Sequence, residues 1–308
     1  MSAAIEIEGL TKVYGDARAL DGVDLQVPEG SVFGFLGPNG AGKTTTLRVL
    51  TGLARPTAGS ARVFGRDVVT ATNEVRAAVG FLPDVPGFYD WMTASEFLRF
   101  AGSLFGIGGA TLTGRVDALL DLAGLTGVTT KIGGYSRGMK QRLGVAQALI
   151  NAPKLLMLDE PTSALDPIGR KEVLEMIASL GGRTTVFFST HILSDVERVC
   201  DTVAILHEGR VVTQAPIGEL KARYGTSVLA VEVADQAEEI AGAFALEPWC
   251  ARVERLAGGG MALTVSDLDA ARRAVPAIVA ARGAGLVRLD AGEVSLEEVF
   301  VTLVGGEA

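Results

Sequence analysis

The sequence predicts an α/β fold over residues 1–222, built on a largely parallel sheet, with a small α+β domain at residues 223–308. Three observations predict it. Short, continuous apolar runs alternate with helical patterns through the first part, as buried parallel strands and their crossover helices do. One of those runs leads through a glycine-rich loop into a helical pattern. Near Arg223–Thr226 the alternation restarts in a different order. A chain of 308 residues has room for two domains, and its 48% hydrophobic and 21% charged residues exclude a disordered or collagen-like polymer.

The elements follow in order. Ile5–Glu8 alternates apolar and acidic residues like a half-buried strand, and Val32–Leu36 is continuous apolar sequence, as in a strand covered on both faces. Leu155–Leu158, Thr184–Phe188 and Val203–Leu206 read the same way. Helical periodicity predicts helices over Thr44–Leu53, Thr93–Leu104, Leu112–Ala123, Arg137–Ile150 and Ile168–Leu180. Beyond residue 223 the expected order is strand Val228–Val233, helix Gln236–Ala245 and strand Ala251–Leu256. A turn at Gly258–Gly260, strand Met261–Val265, helix Leu268–Ala281 and strand Leu286–Leu289 come next. That βαββαβ order is ferredoxin-like, and a last helix over Ser295–Val304 closes the chain.

Composition narrows the function classes. The longest stretch without a charge, Phe100–Gly114, has fifteen residues and five glycines. That falls short of the ~18 apolar residues of a membrane-crossing helix. Met1–Gly9 lacks the basic and apolar regions of a signal peptide. Cys200 and Cys250 have no metal-like or redox spacing and are expected as free thiols. The net charge of −8 and the 6% aromatic content argue against nucleic acid as a partner.

Gly37-Pro38-Asn39-Gly40-Ala41-Gly42-Lys43-Thr44 matches GxxxxGK[ST], after an apolar run and before a helical pattern, which is the context of a phosphate-binding loop. Glycines let backbone N–H groups turn toward phosphate oxygens without Cβ clashes. The following helix adds its positive N-terminal end. Lys43 supplies a point charge, and the Thr44 hydroxyl is a hard oxygen ligand suited to Mg²⁺. Thr45 is counted with the loop. The bland alternative, a glycine-rich turn, does not account for the strand and helix on either side. No Asn-Lys-x-Asp element occurs, which disfavours guanine.

Leu155–Leu158 runs into Asp159-Glu160. A buried strand would deliver both carboxylates at its C-terminal end, where open α/β sheets bind ligands. Asp159 is expected at Mg²⁺, and Glu160 as the general base that polarises the attacking water. Upstream, Tyr135-Ser136-Arg137-Gly138-Met139-Lys140-Gln141-Arg142 opens a helix. With these residues the chain resembles the ATP-binding cassette (ABC) ATPases, whose signature usually reads Leu-Ser-Gly-Gly-Gln. Ser136 and Gly138 keep the phosphate-holding chemistry, while Arg137 and Met139 depart from the commonest form.

Further landmarks of the resemblance fall in order over residues 4–220. Tyr14 occupies the place of the ring that stacks on adenine, and Ser163-Ala164-Leu165-Asp166 that of the loop crossing to a second cassette. His191, after Ser189-Thr190, takes the place of the switch histidine at the γ-phosphate. Asp84, after Pro83, stands where the family has Gln or Glu, with shorter reach toward Mg²⁺ and water. The end of the chain, Val294–Phe300, looks like the tail of exporter ATPases of the drug-resistance and sodium-export kind.

The resemblance implies a P-loop cassette with a mixed sheet core and a helical subdomain over residues 88–150. It implies ATP and Mg²⁺ as cofactors and ATP hydrolysis coupled to export. The expected partners are a separate membrane permease and a second copy or homologous cassette, with the chain peripheral on the cytoplasmic face of the membrane. Among the aromatics of Phe88–Gly106, Phe97 and Phe100 are expected in the subdomain core, with Tyr89 and Trp91 as permease contacts. Two competing readings are a soluble ABC ATPase acting on ribosomes or nucleic acid and an ATP-binding regulator without catalysis.

Overall fold

The computed structural model describes residues 2–224, 227–292 and 295–304. Gly225, Thr226 and Val294, which belong to the expected domain junction and tail, lie outside them. The chain divides into two compact units, Met1–Ile217 and Gly218–Ala308.

The first unit begins with strands β1 (Ala3–Tyr14), β2 (Ala17–Pro28) and β3 (Val32–Leu36) and helix α1 (Lys43–Leu50). Strands β4 (Ala58–Val63) and β5 (Arg66–Asp67), helix α2 (Thr72–Ala78) and strand β6 (Val79–Leu82) follow. Helices α3 (Ala94–Leu104), α4 (Gly109–Leu122) and α5 (Arg137–Ala148) then precede β7 (Leu155–Asp159) and α6 (Pro167–Ser179). The unit continues with β8 (Thr185–Thr190), α7 (Leu193–Val199), β9 (Thr202–His207) and β10 (Arg210–Pro216). Helix α8 (Ile217–Tyr224) leads out of it.

Two sheets face each other. An antiparallel sheet has the order β2-β1-β4-β5; a six-stranded sheet has the order β10-β9-β3-β8-β7-β6, parallel except for β10 at its edge. The apolar faces meet in a core holding Ile5, Leu10, Val23, Leu47, Phe33 and Phe187. Phe187 packs with its ring centroid 5.8 Å from Phe33 and 5.2 Å from Phe35.

Register positions the site. Leu36 lies beside Thr190, and Asp159 beside Ser189. The residues that follow, Gly37, His191 and Glu160, are therefore delivered to one end of the parallel sheet.

The expected strands and the five expected helices of the first unit form at their places, with ends shifted by a few residues. Strands β5, β6 and β10 and helices α2, α7 and α8 were not foreseen. Neither were β2, β4 and the full length of β1. Register shifts along β1, among them those between Ile7 and Leu10 and between Leu10 and Lys12, break the alternation that would reveal them. Helix α3 starts with a reciprocal capping box: Thr93 Oγ1 accepts from the Glu96 N–H, and the Glu96 carboxylate accepts from the Thr93 N–H.

The second unit contains β11 (Ser227–Val233), α9 (Ala237–Phe244), β12 (Cys250–Arg255), β13 (Gly260–Val265), α10 (Leu268–Ala281), β14 (Leu286–Gly292) and α11 (Leu296–Val304). Its strands pair antiparallel in the order β12-β13-β11-β14. In β13 every second residue is buried, so Met261, Leu263 and Val265 meet Ile240 and Phe244 of α9 and Val275 of α10. The glycine turn before β13 needs its glycines: Gly259 has φ +82°, and a Cβ there would stand 2.8 Å from the Val233 carbonyl.

Candidate nucleotide site

The loop from β3 to α1 needs glycine at two close approaches. A Cβ on Gly37 would lie 2.4 Å from the Leu206 carbonyl oxygen. One on Gly42, at φ +112°, would lie 2.6 Å from the Ala19 carbonyl. Gly40 has open space where its side chain would be, and only its φ of +85° calls for glycine. The Gly37 N–H donates to the Thr190 carbonyl at 3.2 Å and ties the loop to the end of β8.

A cavity of about 240 Å³ opens over this loop, lined by Ala19, Asn39, Gly40, Gly42, Lys43, Thr44, Thr45, Asp84 and Glu160. Lys43 is buried, and its ammonium donates to the Gly37 carbonyl at 2.6 Å and the Pro38 carbonyl at 3.1 Å. It also lies 3.1 Å from Glu160 Oε1.

Glu160 comes off β7 with φ +49°, an uncommon conformation for a non-glycine residue. Its N–H donates to the Ser189 carbonyl, which fixes the turn. Glu160 Oε2 lies 2.8 Å from His191 Nδ1, while Oε1 is buried without an aligned hydrogen-bond donor. Asp159, 1% exposed, accepts from Ser189 Oγ at 2.6 Å. Asp84 lines the cavity together with Glu160. Burial raises its carboxyl above the ordinary value of 3.8, and the negative charges of Asp159 and Glu160 add to the rise.

The structure thus brings Asn39, Gly40, Gly42, Lys43, Thr44, Thr45, Asp84 and Glu160 to one cavity, with Asp159 and His191 in contact with its edge residues. Gly37, Pro38 and Ala41 form the loop beneath. Tyr14, Ser136 and Gly138 do not line it. Tyr14 is 46% exposed at the end of β1, and Lys12 Nζ sits 4.6 Å from its ring centroid. Ser136 caps α5, its hydroxyl accepting from the Met139 N–H, and Gly138 stands against Gly169 of α6.

The family model described as ABC transporter matches residues 20–163. The bacitracin transport ATP-binding protein BcrA of Bacillus licheniformis is 37% identical over 309 residues, 99% of this chain and 99% of that protein. The chain belongs to the ABC transporter family. It is an ATP-binding cassette of that family and an ATPase.

The daunorubicin/doxorubicin resistance ATP-binding protein DrrA of Streptomyces peucetius is 37% identical, covering 99% of this chain and 93% of that one. The dimeric structure of MJ0796, a bacterial ABC transporter cassette, superposes with a TM-score of 0.63 at 25% identity. It covers 69% of this chain and 98% of that chain.

Sequence reasoning missed Ala19, Ser189 and Thr190 as parts of the cassette's site. Ala19 reaches the cavity from an unforeseen strand. Ser189 and Thr190 act through a register that only the folded sheet reveals.

Proposed function

We propose that this cassette is the ATP-hydrolysing subunit of an exporter, working through a separate membrane permease. The observation that supports the chemistry best is Glu160, which lines the phosphate cavity with one carboxylate oxygen 2.8 Å from His191 and the other 3.1 Å from the Lys43 ammonium. A carboxylate so placed can accept a proton from an attacking water.

The loop Gly37–Thr45 cradles the phosphates, Lys43 meets the β and γ phosphates, and His191 senses the γ-phosphate. Mg²⁺, when bound, neutralises phosphate charge during transfer. The residues fit it: Thr44, Asp84 and Asp159 offer hard oxygens. Among the described residues no cluster of three or more His, Cys, Asp or Glu stands ready for a metal. Mg²⁺ takes few protein ligands and completes its shell with phosphates and water.

In the reading we favour, Ser136 and Gly138 serve a nucleotide held mainly by a second cassette, either another copy or a homologue. This accords with their place outside the chain's own cavity and with the dimeric form of MJ0796. Tyr14 stacks on adenine. Residues 223–308 form an accessory domain.

Among the described residues no helix is long and apolar enough to cross a membrane, so the transport path would come from a partner. A groove lined by Phe88, Tyr89, Phe97, Phe100 and Leu104 suits that contact. Phe97 is buried as expected, while Phe100 is 37% exposed and joins Tyr89 on the surface, contrary to its expected place in the core.

Relatives named for bacitracin transport and daunorubicin resistance favour an exporter attached peripherally to the membrane. Affinity purification from detergent-solubilised membranes tests the assignment. The expected result is co-purification of a multi-helix membrane protein. Co-sedimentation with ribosomes, and no membrane partner, would replace this reading with that of a soluble ABC ATPase.

A further inference from the structure

We propose that Asp195 is a positioning residue that holds the Glu160 loop and the His191 segment in one arrangement. The inference rests on the roles proposed above for those two residues. Asp195 sits in the first turn of α7, four residues after His191, and is fully buried. It belongs to neither the phosphate loop nor the cavity wall.

Its carboxylate joins three segments. Oδ2 accepts from Thr162 Oγ1 at 2.6 Å, and Thr162 is two residues beyond Glu160. Oδ1 accepts from Arg170 Nε at 2.5 Å, on α6. Arg170 also donates through Nη2 to Ser194 Oγ at 2.7 Å. The Arg170 N–H donates to the Asp166 carbonyl, so this arginine is tied to the end of the loop that resembles a dimer-crossing segment.

The loop needs such a fastening. Between β7 and α6 it holds two non-glycine residues in the left-handed region, Glu160 at φ +49° and Ala164 at φ +57°. Conformations of that kind persist only where the surroundings fix them. Short turns supply part of the restraint: the Ser163 N–H donates to the Glu160 carbonyl and the Leu165 N–H to that of Thr162. These bonds are internal to the loop and do not set its place against β8 and α7. Against β8 the loop is held by the Glu160 N–H on the Ser189 carbonyl and the Glu160–His191 contact, and against α7 by the bond from Thr162 to Asp195.

Burial makes these bonds necessary. A carboxylate removed from water is costly unless it is paired and hydrogen-bonded. Asp195 meets that condition through one cation and one hydroxyl, each on a different segment. Glu160 and His191 are carried on the ends of neighbouring strands, and the 2.8 Å contact between them depends on both segments keeping their places. A misplacement on the order of 1 Å at a reacting group can cost ~100-fold in rate.

The test uses the full-length chain and variants that spare the buried ion pair. Thr162→Val removes the hydroxyl with little change of shape and leaves Asp195 paired with Arg170. We expect kcat for ATP hydrolysis to fall roughly 10- to 100-fold, with KM for ATP nearly unchanged and the thermal midpoint lowered by several degrees, because Asp195 Oδ2 loses its donor. Thr162→Ser, which restores the hydroxyl, should recover most of the rate. Wild-type kcat in Thr162→Val would overturn the inference. So would a rate loss that is not restored by serine. Glu160→Gln is measured alongside. If it turns over at the wild-type rate, the base assignment fails; if it is inactive while Thr162→Val is normal, only the positioning role fails.

Discussion

Glu160 stands between His191 and Lys43: one carboxylate oxygen lies 2.8 Å from the imidazole and the other 3.1 Å from the ammonium. The side chain proposed as the base therefore contacts both groups proposed to meet the γ-phosphate. Binding of ATP would compete for both and leave Glu160 oriented by its backbone turn and facing the phosphate.

Lys43→Ala removes the buried ammonium and leaves the Gly37 and Pro38 carbonyls without their donor. ATP affinity should fall by at least ~10-fold, about 1.4 kcal/mol, measured by equilibrium binding of a fluorescent nucleotide. Unchanged affinity would contradict the loop's assigned role.

Two glycines of the loop should behave differently. Gly42→Ala forces a Cβ to 2.6 Å from a backbone carbonyl at φ +112°, so overpacking of about 1–3 kcal/mol adds to a left-handed backbone cost of about 1–2 kcal/mol. Gly40→Ala meets nothing within 4 Å and should cost only the left-handed backbone, about 1–2 kcal/mol. Denaturant unfolding of both variants without nucleotide orders them. A larger loss at Gly40 would contradict this path of the loop.

Asp84 gives a pH signature. Its folded-state carboxyl is raised by burial and by the neighbouring charges of Asp159 and Glu160. The protonated acid therefore carries no penalty below its unfolded value near 3.8, and stability is lost as pH rises through the folded value. Asp84→Asn should stabilise the nucleotide-free chain at neutral pH, and the gain should vanish on acidification. Thermal melts across pH 3–8 check the sign, and a gain confined to acid would contradict it.

Trp91 is 67% exposed, with its ring centroid 4.9 Å from that of Tyr89. Trp91→Ala should leave folding stability within ~0.5 kcal/mol and keep ATP hydrolysis by the isolated chain. Affinity for the membrane partner should fall by about 2 kcal/mol. Retention of full affinity would remove Trp91 from the docking surface.

Much of this was legible in the sequence because the informative residues are contiguous. Gly37–Thr44 and Leu155–Glu160 each pack a strand end and its chemistry into a few residues. The βαββαβ order after residue 223 could be read because β13 keeps a clean alternation. What escaped depends on long-range pairing. The irregular register of β1 hid β2, and with it Ala19 at the cavity. Nothing local marks Asp195, in a short helix with ordinary acidic spacing, as the acceptor for Thr162 and Arg170. Phe100 has helical spacing with Phe97, yet it turns outward, because the buried stripe of α3 runs through Ala94, Phe97, Leu98, Ala101 and Gly102 and Phe100 stands beside it.

The central claim is that Glu160 performs the proton transfer while binding rests on other groups. Glu160→Gln keeps the side chain's shape and removes its basicity, so single-turnover hydrolysis and ATP binding should be measured together on that variant. Nucleotide affinity within a few-fold of wild type, a hydrolysis rate lowered ~100- to 10,000-fold and an ATP-stabilised dimer are predicted. Hydrolysis at the wild-type rate, with ATP bound, would contradict the account.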